Sequence, residues 1–145
     1  MIVFNITRNF FFILCVLIGL SSNAQNLNSR FEVSFQDNFK GDIVSLKLGK
    51  CGLLKNKILT SREIGFAGII ITFFEPNKIS VSENGEIILE KKCNINLKKD
   101  IKFSLKLNNR KEILRINLNN GKYIGLNKDK DTFELRQLTV PFEYE

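Results

Sequence analysis

Ile101-Lys102-Phe103-Ser104-Leu105-Lys106-Leu107 alternates apolar and polar residues at every step. A period of two puts every apolar side chain on one face of a β-strand and every polar one on the other. The same phase runs through Phe31-Glu32-Val33-Ser34-Phe35, Val44-Ser45-Leu46-Lys47-Leu48 and Cys93-Asn94-Ile95-Asn96-Leu97. These are half-buried strands, each with one wet face. Ile69 to Phe74 is apolar at almost every position and rich in β-branched residues, so it reads as a central strand covered on both sides. No apolar stripe of helical period appears anywhere after the first two dozen residues.

Turn chemistry separates these runs at short intervals. Asp37-Asn38, Gly41-Asp42, Glu75-Pro76-Asn77, Lys99-Asp100, Asn108-Asn109 and Lys128 to Asp131 all mark breaks, and Asn84-Gly85 and Asn120-Gly121 carry the sharpest hairpin signal. From Ile101 onward the spacing predicts a C-terminal meander of consecutively paired strands near 101–107, 112–118, 122–126 and 132–138. Together with the first half this gives about eight or nine short strands, an all-β chain folded as an antiparallel β-sandwich, with a small β-barrel as the alternative. Val140-Pro141-Phe142-Glu143-Tyr144-Glu145 is extended, and proline cannot donate to a ladder, so this segment is expected as an edge strand or as a cover over one end of the sandwich.

Residues 1–24 have the layout of a secretory signal peptide: Arg8 ahead of the apolar run Phe10–Leu20, then Ser22-Asn23-Ala24 with small residues where a signal peptidase cuts. The run is only about half of the roughly 20 residues that a membrane-spanning helix needs. Cleavage would leave residues 25–145 as one domain, exported to the periplasm or secreted. It removes Arg8 and no acid from a chain with 22 Lys and Arg against 15 Asp and Glu, so the domain stays basic. Cys15 leaves with the leader. Cys51 and Cys93 remain, and an even count outside the reducing cytosol predicts a disulfide between them.

For catalysis the chain is poor in tools. It has no histidine, which removes the commonest general base, every Ser-His-acid or Cys-His pairing and every His-containing zinc site. Neither a Ser-x-x-Lys nucleophile nor a phosphate-cradling glycine loop occurs. Glu83, Glu86 and Glu90 surround the Asn84-Gly85 turn and offer carboxylate-only hydrolysis, or simply solvated hairpin charge. Asn127-Lys128-Asp129-Lys130-Asp131-Thr132 spaces oxygens like the start of a calcium loop but places Thr132 where glycine belongs. Asp129, Asp131 and Glu134 are its ligands to test. No cofactor or metal is expected.

Basic residues crowd the second half: Lys98, Lys99, Lys102, Lys106, Arg110, Lys111, Arg115, Lys122, Lys128 and Lys130. Lys102 and Lys106 share one face of a strand and Arg115 lies across from them on the next, with Glu112, Asp100 and Asp129 interrupting the stripe. Lys102, Lys106, Arg115 and Tyr123 are therefore the expected ligand-binding set for an anionic polysaccharide or envelope surface. The same lysines would also discourage edge-to-edge pairing. Nucleic acid is not expected, because no stacking aromatics are interleaved with the bases. The absence of Trp removes the usual flat platform for sugars, and Phe31, Phe35, Phe103 and Phe133 fall on core phases. The reading is a non-catalytic binding module; the alternatives are an assembly protein joining through strand edges and, behind it, a carboxylate hydrolase.

Overall fold

The computed structural model describes residues 29–74, 76–95 and 100–144. The expected leader, Lys98, Lys99 and the Asn96-Leu97 end of one expected strand lie outside the described residues. The described residues form ten strands in two sheets. A six-stranded sheet has the order β10 (Thr132–Leu138), β9 (Tyr123–Asp129), β1 (Ser29–Phe35), β4 (Ile69–Phe74), β5 (Lys78–Glu83), β6 (Glu86–Lys92). A four-stranded sheet has the order β3 (Cys51–Thr60), β2 (Lys40–Leu48), β7 (Asp100–Leu107), β8 (Arg110–Asn117). The two stay separate instead of closing into a barrel, so the sandwich holds and the barrel does not.

The alternation read from the sequence is what welds the sheets. Ile101, Phe103, Leu105 and Leu107 are buried while Lys102 and Ser104 between them are exposed, and Val44, Leu46 and Leu48 do the same on β2. From the facing sheet Phe31, Val33, Phe35, Ile69, Ile71, Phe73, Ile79, Val81, Ile124 and Leu126 complete the core. Phe31 stacks on Phe73 with ring centroids 4.0 Å apart, and Phe103 meets both edge-on across the interface. Phe39, although it sits in a turn, folds back onto Phe35 and Phe133 as a second aromatic plug. At about 25 cal/mol per Å² of apolar surface removed from water, these rings dominate the folding energy.

Several expectations are corrected. The terminal meander breaks into two hairpins, β7–β8 and β9–β10, because the chain crosses between sheets after β8. A 3-10 turn, Leu118–Asn120, makes the crossing; the Asn117 side chain caps it by accepting the Asn119 N–H, and Gly121 follows at φ 140. A Cβ at Gly121 would collide with the Leu138 carbonyl, so Asn120-Gly121 serves a close backbone approach and not a hairpin. β9 then pairs with β1 in parallel, the one departure among the described pairings from an antiparallel pattern. Asn84-Gly85 does form the expected two-residue hairpin, with both residues at positive φ. Cys93 to Ile95 is connector, not strand. β4 is central in its sheet, yet only Ile69, Ile71 and Phe73 are buried; Ile70, Thr72 and Phe74 on the other face are half-covered.

Cys51 at the start of β3 and Cys93 just after β6 come together with Cα atoms 6.2 Å apart, joining the two sheets across 42 positions of sequence. No helix among the described residues is long and apolar enough to cross a membrane.

Candidate functional site

Each sheet has one face in the core and one face outward, and the two outward faces differ. On the six-stranded sheet, Ser34 and Gln36 point away from the core yet are buried, because the segment after β10 lies over them. The Tyr144 hydroxyl donates to Ser34 Oγ at 2.9 Å and accepts from Gln36 Nε2 at 2.9 Å. Its ring stacks on Phe66, and Arg136 sits over the Phe142 ring. The proline-containing tail is therefore a cover on a sheet face and not an edge strand. Gly125 on β9 leaves the room that the Gln36 side chain occupies. Glu32 lies in the same row, and burial raises its carboxyl above the usual range.

The outward face of the four-stranded sheet carries no such cover among the described residues. Register fixes its rows: Gly52 opposite Lys47, Lys47 opposite Ser104, and Ser104 opposite Ile113 make one row across β3, β2, β7 and β8. Ser45 opposite Lys106, and Lys106 opposite Lys111, make the next. Lys102 opposite Arg115 lies beyond them. Cross-strand partners share a face, so Lys47, Lys102, Lys106, Lys111 and Arg115 all project from one side. Lys55 joins them from β3, where register shifts insert extra residues and Asn56 turns through φ 49. Asn56 is held by Ser45, which accepts from its backbone N–H at 2.9 Å and bonds its side chain.

Small residues at Gly52, Ser45 and Ser104 leave a hollow among these cations. The depression has a volume of about 940 Å³ and is rimmed by Lys47, Lys55, Lys106 and Lys111, with Ile113 and Leu89 also on its walls. It is within the usual size of a small-molecule site. Acids largely avoid the face. Glu112, expected to interrupt the stripe, has the inward phase of β8, level with Leu105, and accepts the Phe133 N–H at 3.2 Å, yet it also lines the depression beside Lys111 and is the one carboxylate there. Asp129 belongs to the other sheet. Only Asp100, at the start of β7, shares the phase of Lys102. Among the described residues the ion pairs are Lys57–Glu83, Lys78–Glu90 and Lys128–Asp42, none of which uses a lysine of this face.

Of the expected ligand set, the structure brings Lys102, Lys106 and Arg115 together and leaves Tyr123 out. Tyr123 is on β9, beside Glu32 in the other sheet, with Lys122 over its ring. The error follows from the meander: pairing β8 with β9 would have placed Tyr123 next to Arg115. Lys47, Ser45, Gly52 and Ile113 were missed for a related reason. Their outward phase is legible, but nothing in the sequence says that β2 lies beside β7. The glutamates of the Asn84-Gly85 hairpin do not face a cleft: Glu83 is held by Lys57 at 2.6 Å and Glu90 by Lys78 at 2.9 Å. No group of three or more His, Cys, Asp or Glu side chains among the described residues could hold a metal ion, so Asp129, Asp131 and Glu134 do not gather into a calcium site.

One buried charge is structural. Asp42 is 6% exposed. Burial alone would raise its carboxyl, but bonds from Lys128 Nζ at 2.8 Å, the Lys40 N–H at 2.8 Å and Asn108 Nδ2 at 2.9 Å outweigh it and hold the group below the usual range. Lys128 is thereby spent on tying β9 to β2. Comparison with family models, curated proteins and solved structures finds no match to this chain.

Proposed function

We propose that the protein is a non-catalytic binding module that takes an anionic partner, polysaccharide or envelope surface, on the outward face of its four-stranded sheet. The observation that carries this reading is a pair of like-charge oppositions on adjacent strands, Lys102 against Arg115 and Lys106 against Lys111. Like charges directly opposite each other destabilise a sheet. Like charges also oppose each other in the other sheet, Lys78 against Lys92 and Glu83 against Glu86, but there Glu90 and Lys57 supply compensating ion pairs, which the four cations of this face do not have among the described residues. An arriving anion relieves the repulsion, so the face is costly when empty and favourable when occupied. The leader-like first 24 residues and the bridged Cys51 and Cys93 favour work outside the reducing cytosol, periplasmic or secreted.

Assembly through strand edges is the weaker reading. β3 and β6, edge strands of their sheets, both carry register shifts, and bulged edges resist strand addition. The opposite edges are tied to each other by two side chains: Glu112 of β8 takes the Phe133 N–H of β10, and Gln137 donates to the Asn117 carbonyl. The test is retention on dextran sulfate and on vesicles containing anionic lipid. Lys102→Glu, Lys106→Glu and Arg115→Glu should each weaken binding at least tenfold in 0.1 M salt. Unchanged binding by all three removes this face from the function, and self-association that persists at 1 M salt would favour the edges instead.

A further inference from the structure

We infer that the preferred ligand of the basic depression is an anionic amphiphile, a carboxylate or phosphate head carrying an alkyl chain. The inference rests on the anionic reading above and narrows it. Charge complementarity supplies the head: four lysines line the hollow against a single carboxylate, Glu112, whose Oε2 accepts the Phe133 N–H. The chain is supplied by what the lysines surround. Ile113 stands 64% exposed in the middle of the cationic face, level with Ser104, Lys47 and Gly52, where a sheet built only to bind sulfate or carboxylate groups would carry a polar residue. Across the hollow from it Leu89, half-buried at the seam with the other sheet, continues the apolar wall. Lysine side chains add their methylene stems to such a wall while keeping their ammonium groups in water. A pure polyanion uses none of this surface, whereas an alkyl chain removes it from water.

Gly52 makes the idea testable without disturbing the fold. A Cβ added there meets nothing within 4 Å, and its backbone is not in the left-handed region, so a larger side chain grows into the hollow. Titration calorimetry of octanoate, decanoate and dodecanoate, each below its micellar concentration, is set beside dextran sulfate. Full burial is worth about fourfold in affinity per methylene, and burial in an open hollow about half of that on a logarithmic scale, so dodecanoate should bind at least about tenfold more tightly than octanoate. Gly52→Leu should abolish the chain-length dependence and leave dextran sulfate within about twofold; Ile113→Thr should weaken dodecanoate selectively. Lys106→Glu should weaken every anionic probe. Equal binding of the three carboxylates beside tight dextran sulfate binding would overturn the amphiphile and leave the polyanion reading standing. Dodecanoate binding untouched by Gly52→Leu would overturn the location. If no anionic probe binds at all, both readings fall together.

Discussion

Replacing Lys111 with glutamate should make the protein more stable and less able to bind. Lys111 is exposed and lies directly opposite half-buried Lys106, with Ser45 on Lys106's other side. A cross-strand charge pair is worth roughly 0.2–1 kcal/mol in either direction, so exchanging repulsion for attraction gains about 0.5–2 kcal/mol. For a domain of about 120 residues, 1 kcal/mol moves Tm by about 3–4 °C, and Lys111→Glu should melt about 2–8 °C higher in low salt. The gain should shrink in 1 M salt, where the screening length falls to about 3 Å. Arg115→Glu, opposite Lys102, should behave alike. The two pairs are separated by the Ser104–Ile113 row, about 13 Å along the strand, so their effects should add. The assay is scanning calorimetry at both salt concentrations, with dextran sulfate binding measured on the same samples. A Tm for Lys111→Glu that is unchanged or lowered, together with retained binding, would refute the view that this face sacrifices stability for an anion.

Other consequences concern the frame that holds the face. Gly125→Ala should lose about 1–3 kcal/mol, because its Cβ would lie 2.6 Å from Gln36 Nε2 in a site sealed by Tyr144; chemical denaturation reads it, and an unperturbed midpoint would mean the tail does not pack as described. The Asp42 carboxyl is held below its ordinary value of 3.8, so its stabilisation is complete above that value and is lost as pH falls through the folded-state value. Asp42→Asn should therefore be less stable at pH 7 and show a flatter loss of stability below about pH 4, as followed by acid titration of the circular dichroism. Reduction of the Cys51–Cys93 bridge frees a loop of 42 positions and should cost about 4 kcal/mol on the chain-entropy model, seen as a lower denaturation midpoint in dithiothreitol.

The sandwich was legible because period-two alternation is local. Each of Phe31-Val33-Phe35, Val44-Leu46-Leu48 and Ile101-Phe103-Leu105-Leu107 declares its own inward face without reference to any other strand. What was not legible is which strands are neighbours. The Asn120-Gly121 pair is chemically the same hairpin signal as Asn84-Gly85, yet one carries the chain between sheets and the other reverses it. The difference lies in the Leu138 carbonyl packed against Gly121, a contact between residues 17 positions apart that no local pattern encodes. The same gap explains the candidate site. Lys102, Lys106 and Arg115 come from one hairpin and were found, whereas Lys47 and Ser45 reach the face only through the β2–β7 pairing.

The two outward faces together argue that the basic one is there for a purpose. The sequence had to hide polar side chains on the six-stranded sheet, and it did so with Tyr144, whose single hydroxyl serves both Ser34 and Gln36. Gln36 Oε1 has no protein hydrogen-bond partner among the described residues, and the Tyr144 ring stacks on Phe66 beside it. A chain that covers one face at such expense, and guards its edges with bulges, has the means to neutralise the other. Instead that face sets lysine against lysine and lysine against arginine around a hollow floored by glycine and serine, and leaves Ile113 in the open. The like-charge repulsion, exposed Ile113 and the small residues of the hollow fall within the same few positions of β2, β3, β7 and β8, although Ile43, Ile58 and Ile87 are exposed elsewhere. The amphiphile proposed above would offset the repulsion and cover Ile113 in the same step, which solvent does not.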